Sequence, residues 1–132
     1  MMSTMPLNPY EVRLLSVDEL SQDTVQYFRD RYNNRFIRAL RAAEEGRVVR
    51  YHFLPSDTTT WIVRGGKREY LVIPDIYCSC RSFYQSVVIA HDFEMCYHLL
   101  AQRIAEIRDL HKSTETTDSE RRRLYDKWRR TD

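Results

Sequence analysis

YCSCRSFYQSVVIAHDFEMCYHLLA, residues 77–101, holds all three cysteines of the chain and a histidine beside the last of them. The spacing is Cys78-x-Cys80, fifteen intervening residues, and Cys96-x-His98. Thiolate and imidazole are ligands that zinc prefers, and a closed set of four protein ligands is typical of a structural ion rather than a catalytic one. The stretch therefore predicts one tetrahedral zinc site that ties the chain before Cys78 to a helix carrying His98.

Other interpretations of these residues stay open. The cysteines could be ordinary buried thiols, since free cysteine often packs as a small hydrophobe. His91 lies in the spacer and could replace His98 as a ligand, although this breaks the paired spacing. A disulfide framework is disfavoured, because three cysteines cannot all pair within one chain. His52 and His111 belong to no ligand pattern. We expect His52 to be an ordinary strand residue and His111 an ordinary helix-end residue.

Composition limits the class of protein. The 132 residues, 42% hydrophobic and 30% charged, suit one globular domain, and no apolar run reaches the ~18 residues of a membrane span. The N-terminal MMSTMPLNPYEVR lacks the basic start and apolar block of a secretion signal, so we expect an intracellular protein, nuclear in a eukaryote and cytoplasmic otherwise. Only three glycines are present, which excludes a phosphate-binding loop or a dinucleotide fingerprint in this chain. With its thiols assigned to metal, no enzyme activity is expected.

The first third of the chain predicts a helical lead over residues 16–45. Ser16–Glu19 has the form of a capping box, so we expect a helix to begin there. Asn33-Asn34 could interrupt it, with Asn34 capping a second helix, and Gly46 is a plausible left-handed residue after its end. Apolar residues recur along this lead at spacings of three and four. They are Val25, Phe28, Tyr32, Phe36, Ala39 and Ala43.

The following segment, 47–111, predicts a hairpin region and the zinc finger. Three β-rich runs, Val48–Phe53, Thr59–Arg64 and Arg68–Ile73, indicate an antiparallel meander. Gly65-Gly66 predicts a tight turn with positive φ at both residues. Alternating residues should form a buried face of the central hairpin. They are Trp61, Val63, Tyr70 and Val72.

Two helices are predicted around the ligand pairs. Apolar i, i+4 pairs in the spacer favour a short packed helix, formed by Phe83, Tyr84, Val87 and Val88. A longer helix should begin near Asp92, run to about Leu110 and face inward with Leu100, Ile104 and Ile107.

The last segment, 112–132, predicts a linker and a basic helix. Lys112–Thr116 is polar and linker-like, and Thr117–Glu120 repeats the capping-box form before RRRLYDKWRR. This helix could fold back on the domain or dock to a partner or nucleic acid. The fold class is thus α+β in a single domain over 1–132.

Basic residues at helical spacing supply candidate contacts. Arg31, Arg35, Arg38 and Arg41 form a basic face, which is either an ordinary solvated face or a phosphate-contacting one. The candidates for nucleic-acid or partner contact are Arg31, Arg35, Arg38, Arg121, Arg122, Arg123 and Trp128.

The CxC, spacer and CxH pattern resembles the SWIM zinc finger. His98 to Ala101 extends it to CxHxxA, which is similar to the small stand-alone SWIM subunits of Shu recombination complexes. Upstream, NRFIRALRAAEEGRVVRYHF, TTTWIVRGG and REYLVIP resemble the segments that precede the cysteines in SWIM proteins, so the likeness covers about residues 34–108. Tyr97 departs from the family, in which a basic residue commonly stands between Cys and His.

The resemblance implies a function. It implies one structural Zn²⁺, with Ala101 letting the helix approach the metal-bearing hairpin, and no nucleotide or membrane binding by this chain. It also implies an accessory role in homologous recombination and DNA repair, with a RecA-family recombinase paralogue as partner and recombinase assembly on single-stranded DNA as the outcome. SWIM fingers also occur in transposases and chromatin proteins. A direct nucleic-acid-binding finger with a regulatory or transposon-related role is therefore the alternative.

Overall fold

The computed structural model describes residues 7–80, 83, 89 and 95–129. In chain order, the elements within these ranges are α1 (Pro9–Leu15), α2 (Gln22–Tyr32), α3 (Asn34–Glu44), β1 (Val48–Leu54), β2 (Thr58–Arg64), β3 (Glu69–Ile73), β4 (Tyr77–Cys78), α4 (Tyr97–Arg108), β5 (Lys112–Thr117) and α5 (Asp118–Trp128). The α+β class is therefore as predicted. No helix in the described part of the chain is long and apolar enough to cross a membrane.

The strands form one sheet in the order β4-β3-β2-β1-β5. All neighbours are antiparallel except β1 and β5, which run parallel. The predicted meander is confirmed as β1, β2 and β3, with bounds that differ by one residue or less at each end. The two outer strands were not predicted.

The sheet buries both of its faces. On one face, Val63 and Val72 belong to the main core, which the residues of α1 to α4 complete. On the other face, Ile62 and Leu71 pack with residues of α5 in a second core. The predicted buried face is confirmed for Trp61, Val63 and Val72, while Tyr70 is half-buried against the same core.

The helical lead begins earlier than predicted. Asn8 caps α1, accepting a hydrogen bond from the Glu11 N–H at 2.8 Å, while the Glu11 side chain accepts from the Asn8 N–H at 3.1 Å. Ser16 instead ends α1, and its hydroxyl donates to the Val12 carbonyl at 2.6 Å. The prediction of a helix start at Ser16 was wrong because Asn8 and Glu11, with proline directly after the cap, form a capping box one helix earlier.

The predicted interruption of the lead is confirmed. Asn33 has a φ of 59° and separates α2 from α3. It occupies the cap position itself, where the prediction placed Asn34. Gly46 adopts the expected left-handed conformation, with a φ of 74°, directly after the end of the lead.

The glycine turn differs from its prediction. Neither Gly65 nor Gly66 has a positive φ, and the connection is a four-residue loop over 65–68 in which the Gly65 N–H donates to the Arg68 carbonyl at 2.7 Å. Glycine is required at 65 for space, because a Cβ there would lie 2.9 Å from Cε2 of Tyr70. The prediction of a two-residue turn was wrong because the loop also contains Lys67 and Arg68, of which Arg68 was predicted to begin the strand.

The stretch predicted as a linker is a strand. Lys112–Thr117 forms β5 and pairs in parallel with β1 from Val49 to Leu54. Most of its side chains are exposed, so it lacks the hydrophobic alternation that identifies a strand from sequence.

The helix after the finger begins later than predicted, because Cys96 takes its cap position and Tyr97 is the first helical residue. Asp92, the predicted cap, lies outside the described residues. The predicted spacer helix also lies there, apart from Phe83, which is buried.

Candidate metal centre

The four predicted ligands meet in the interior. Cys78 ends β4, Cys80 follows two residues later, Cys96 caps α4 and His98 lies in the first turn of that helix. Their ligand atoms all lie within 4.8 Å of one another, and each of the four residues is at most 5% exposed. This buried group of three cysteines and one histidine could bind one metal ion. His91, the alternative ligand, lies outside the described residues.

The imidazole of His98 supports a metal at this place. Both of its nitrogens are buried, and neither makes a hydrogen bond of ordinary geometry to a described residue, although the ring interacts with the Cys80 thiol of the same cluster. A buried polar atom without a partner costs free energy, on the order of 1–3 kcal/mol. A metal bond to one nitrogen would remove much of that cost, so the histidine fits the ligand set.

The three buried thiols shift one another's pKa values. Hydrogen bonds from Cys78 and Cys96 hold the pKa of Cys80 well below its usual range, and the Phe83 N–H also donates to the Cys80 sulfur at 3.2 Å. Burial raises the pKa of Cys96 to about 12 and raises the pKa of Cys78 well above its ordinary value. Burial therefore opposes ionisation of all three thiols at once. A divalent cation is what would stabilise all three thiolates together.

The two ligand pairs are anchored on different elements. On the Cys78 side, the Ser79 N–H donates to the Leu71 carbonyl at 3.0 Å, and the Leu71 N–H donates to the Ser79 hydroxyl at 3.0 Å. The CxC is therefore held by hydrogen bonds to β3. On the helix side, Ala101 is fully buried one turn after His98, as expected for a close approach of α4 to the metal-bearing strands.

Comparison with known proteins found a distant relative among curated proteins. No protein-family model matches the chain, and no solved structure does. The chain is 29% identical over 103 residues to the curated "Zinc finger SWIM domain-containing protein 7 homolog" of Dictyostelium discoideum. The match covers 76% of this chain and 66% of the relative's length, slightly less than two thirds of that protein.

This chain is a distant relative of a SWIM zinc-finger protein. The buried CxC and CxH pairs occupy the places that the SWIM resemblance implies, and the relative's name agrees with that resemblance. We refer to residues 77–101 as the CxC/CxH finger below.

Aromatic rings surround the histidine of the CxC/CxH finger. The Tyr97 ring lies 4.0 Å and the Tyr70 ring 4.3 Å from the His98 ring, measured between centroids. The guanidinium carbon of Arg38 lies 4.1 Å from the centroid of Tyr97. The position where a basic residue commonly stands in SWIM fingers therefore holds a tyrosine whose ring is covered by an arginine of α3.

The arginines predicted as one basic face have separate roles. Arg31 and Arg35 are half-buried, and Arg31 Nε lies 2.8 Å from the Glu11 carboxylate. Arg35 Nη1 donates a short hydrogen bond to the Met95 carbonyl. Arg38 and Arg41 are exposed. The interpretation as a uniformly solvated face is thus wrong for the first two. These partners lie up to 60 residues away, so no local pattern could reveal them.

The basic C-terminal helix folds back on the sheet. Thr117 caps α5 as predicted, accepting from the Glu120 N–H at 3.3 Å. Trp128 has no exposed surface, and its indole N–H donates to Glu69 at 2.9 Å. Its proposed role as a partner or nucleic-acid contact does not fit that burial. Arg121 lies over the Tyr125 ring at 4.5 Å, and Arg123 pairs with Glu120, while Arg122 is exposed.

Two histidines have partners that the sequence did not indicate. His52 Nε2 makes a short contact with Asp57, and its Nδ1 lies 3.3 Å from Glu115 Oε2. His52, Asp57 and Glu115 therefore connect β1, the turn that follows β1, and β5. His111 makes an edge-on ring contact with Trp61, with centroids 4.9 Å apart. His52 lies in strand β1, as expected, and His111 follows the end of α4 by three residues. Their contacts depend on tertiary structure, which the sequence pattern does not show.

Proposed function

We propose that this chain is a non-enzymatic accessory protein of homologous recombination and DNA repair. It binds one structural Zn²⁺ through Cys78, Cys80, Cys96 and His98, associates with a RecA-family recombinase paralogue, and promotes recombinase assembly on single-stranded DNA. The observation that carries the proposal is the buried CxC and CxH cluster in a chain distantly related to a SWIM protein. When bound, the metal supplies a cross-link between the sheet and α4 rather than a reactive site.

The zinc site is tested by measuring the number of zinc ions bound per chain. We expect one zinc per chain by elemental analysis of the purified protein, and a cobalt-substituted form with the absorption bands of a tetrahedral site with three sulfur ligands and one nitrogen ligand. The Cys78→Ser variant should bind markedly less metal under the same conditions. A wild-type protein that holds no metal, or a Cys78→Ser variant that retains a full equivalent, would contradict the zinc site.

Exposed apolar side chains beside the finger support a protein partner. Ile73 and Ile76 lie at the turn that leads into Cys78 and are 45% and 63% exposed. Large exposed apolar residues near one another are characteristic of interaction surfaces. A rigid metal clip directly after them would hold that surface in one shape.

The partner is tested by affinity capture of the zinc-loaded chain followed by mass spectrometry. We expect a RecA-family ATPase in the bound fraction, and recovery that falls when Ile73 and Ile76 are both changed to Asp. Val17→Asp is a suitable control, because Val17 is 49% exposed but belongs to the segment between α1 and α2. Capture without any RecA-family protein would contradict the proposed partner.

Direct binding of nucleic acid is the second candidate function, in a regulatory or transposon-related finger. The observation that favours it is the exposed arginines Arg38, Arg41 and Arg122. This function predicts tight binding of single-stranded DNA by the isolated chain, with affinity that falls steeply as salt rises. An accessory protein acting through a partner should bind DNA weakly by itself. Salt-dependent titration of labelled oligonucleotide separates the two.

A further inference from the structure

We infer that Arg35 and Arg38 of α3 are positioning residues for the metal centre, which hold the CxH half of the site against α3. This inference rests on the proposed metal site and adds to it a part of the chain that lies 58 residues or more before Cys96 and His98. Neither arginine belongs to the CxC and CxH pattern.

The first contact is a series of adjacent side chains that leads from Arg38 through Tyr97 to the ligand His98. Arg38 covers the Tyr97 ring at 4.1 Å, the Tyr97 and His98 rings lie 4.0 Å apart, and Tyr70 contacts the same imidazole at 4.3 Å. A guanidinium above an aromatic face is attracted by the ring quadrupole. Arg38 therefore restrains Tyr97, and Tyr97 in turn restricts the orientation of the His98 ring.

The second contact acts on the backbone. Arg35 donates a charge-assisted hydrogen bond to the carbonyl of Met95, the residue directly before Cys96. Met95 is 1% exposed, so this bond is made at the edge of the core. It holds the chain at the point where Cys96 caps α4.

The two halves of the site have different supports, although β3 contributes to both through Leu71 and Tyr70. The CxC is hydrogen-bonded to β3 through Ser79, whereas the CxH is held by its own helix and by the two arginines of α3. Residues that orient metal ligands without touching the metal change affinity when they are lost, typically by about 10–100-fold. Loss of an α3 arginine should loosen the His98 side and leave the CxC side in place.

The test compares metal release and ligand geometry in the full zinc-loaded chain. A chromogenic zinc chelator in excess reports the release rate. We expect Arg38→Ala to release zinc about tenfold faster than the wild type. Arg41→Ala is the matched control, because Arg41 is an exposed arginine of the same helix, and it should release zinc at the wild-type rate. Arg38→Lys keeps the cation and should recover part of the loss. Arg35→Ala should act in the same direction as Arg38→Ala.

Two further readouts separate positioning from general loosening. The visible absorption of the cobalt form should shift in Arg38→Ala but not in Arg41→Ala, since only the first changes how His98 is held. Leu124→Ala weakens the second core on the opposite face of the sheet and serves as a control for stability. It should leave the cobalt spectrum unchanged.

The outcomes are distinct. Release from Arg38→Ala at the rate of Arg41→Ala, or an unchanged cobalt spectrum in Arg38→Ala, overturns the inference while the zinc site stands. A wild-type chain that takes up neither zinc nor cobalt overturns the zinc site and, with it, the inference.

Discussion

Glu11 is a carboxylate with no exposed surface, and three neighbours compensate its burial. Arg31 Nε lies 2.8 Å from its Oε2, the Tyr27 hydroxyl donates to the same oxygen at 3.1 Å, and the Asn8 N–H donates to Oε1 at 3.1 Å. Arg31 therefore joins α1 to α2 through an ion pair. Its role in the fold is to neutralise a buried charge.

Removing Arg31 should destabilise the protein strongly. In Arg31→Met the apolar stem is retained but Glu11 becomes a buried charge without its cation, and losses of this kind cost about 3–5 kcal/mol. Because Arg31 is partly exposed, we expect the free energy of unfolding in urea to fall by ~3 kcal/mol. Arg29→Met, an exposed arginine of the same helix, should change the unfolding free energy by less than ~0.5 kcal/mol. Equal effects of the two substitutions would contradict this role.

His52 should make stability depend on pH. Its hydrogen bonds to Asp57 and, less strongly, to Glu115 favour the imidazolium and raise its pKa above the ordinary 6.5 of the unfolded chain, although burial opposes the shift. A raised pKa means that the stabilisation is fully present below the unfolded value and is lost as pH rises through the folded value.

The effect is measured against a variant without the titrating group. We expect the urea midpoint of the wild type, relative to that of His52→Asn, to be higher at pH ~5.5 than at pH ~8.5. A difference between wild type and variant that is the same at both pH values would contradict the assignment.

At the scale of elements, the loop between β2 and β3 connects turn geometry to the metal centre. A Cβ on Gly65 would lie 2.9 Å from Cε2 of Tyr70, whose ring contacts His98, whereas a Cβ on Gly66 would meet nothing within 4 Å. Two adjacent glycines thus form a matched pair of sites.

Substituting each glycine should give opposite results. We expect Gly66→Ala to be neutral or to stabilise by up to ~1 kcal/mol, because alanine reduces the entropy of the unfolded chain. Gly65→Ala should destabilise by about 1–3 kcal/mol, since the Tyr70 ring must move. It should also speed zinc release, which Gly66→Ala should not. Thermal unfolding and the chelator assay measure both effects. A Gly65→Ala protein as stable as Gly66→Ala would contradict the close approach.

Helix α5 is a part of the second core rather than an appendage. Trp128 packs against Tyr51 at 4.9 Å between ring centroids and joins Leu124, Val49 and Ile62 in that core. It also donates to Glu69. Arg122 and Arg123 are exposed on this helix, whereas its buried residues, Leu124 and Trp128, are apolar.

Truncating Trp128 should therefore destabilise the whole domain. We expect Trp128→Ala to cost about 3–5 kcal/mol in urea unfolding, because a large buried ring is lost. Trp128→Phe keeps most of the packing and should cost less, since Glu69 still pairs with Arg64 and Lys127. The exposed Arg122→Ala is the control and should change little. A small effect of Trp128→Ala would show that α5 does not pack as described.

At the scale of the whole molecule, the finger joins the sheet to the helical layer. Cys78 belongs to the sheet, while Cys96 and His98 belong to α4, which packs between α3 and the strands. A metal bound by all four ligands would cross-link the sheet to α4. Without it, the core would contain three thiols and an imidazole whose nitrogens make no hydrogen bond of ordinary geometry to a described residue.

Removal of the metal should abolish cooperative unfolding. Structural zinc stabilises small fingers by on the order of 10 kcal/mol, which is comparable with the total stability of a domain. We expect chelator-treated protein and Cys78→Ser to lose the cooperative thermal transition and the near-ultraviolet signal of the buried tryptophans. Zinc added back should restore both in the wild type but not in the variant. A folded, metal-free Cys78→Ser protein would contradict the proposal that the metal cross-links the sheet and α4.

Local patterns in the sequence were sufficient for a large part of this protein. The central hairpin with Trp61 and Val63, the cap at Thr117 and the break at Asn33 all depend on residues within a few positions of one another. Hydrophobic periodicity and capping chemistry act at that range, which is why these predictions are confirmed.

Contacts distant in sequence decided the rest. The pairing of β5 with β1, the burial of Trp128 beneath the sheet and the bond from Arg35 to Met95 each join segments about 60 residues apart. A polar strand such as β5 has no hydrophobic alternation, and its stability comes from backbone hydrogen bonds to a partner that only the folded chain provides. The sequence alone therefore determined which four side chains could hold a metal. The tertiary structure decided what holds those side chains, because the arginines and tyrosines around His98 meet only after the helices and the sheet have packed.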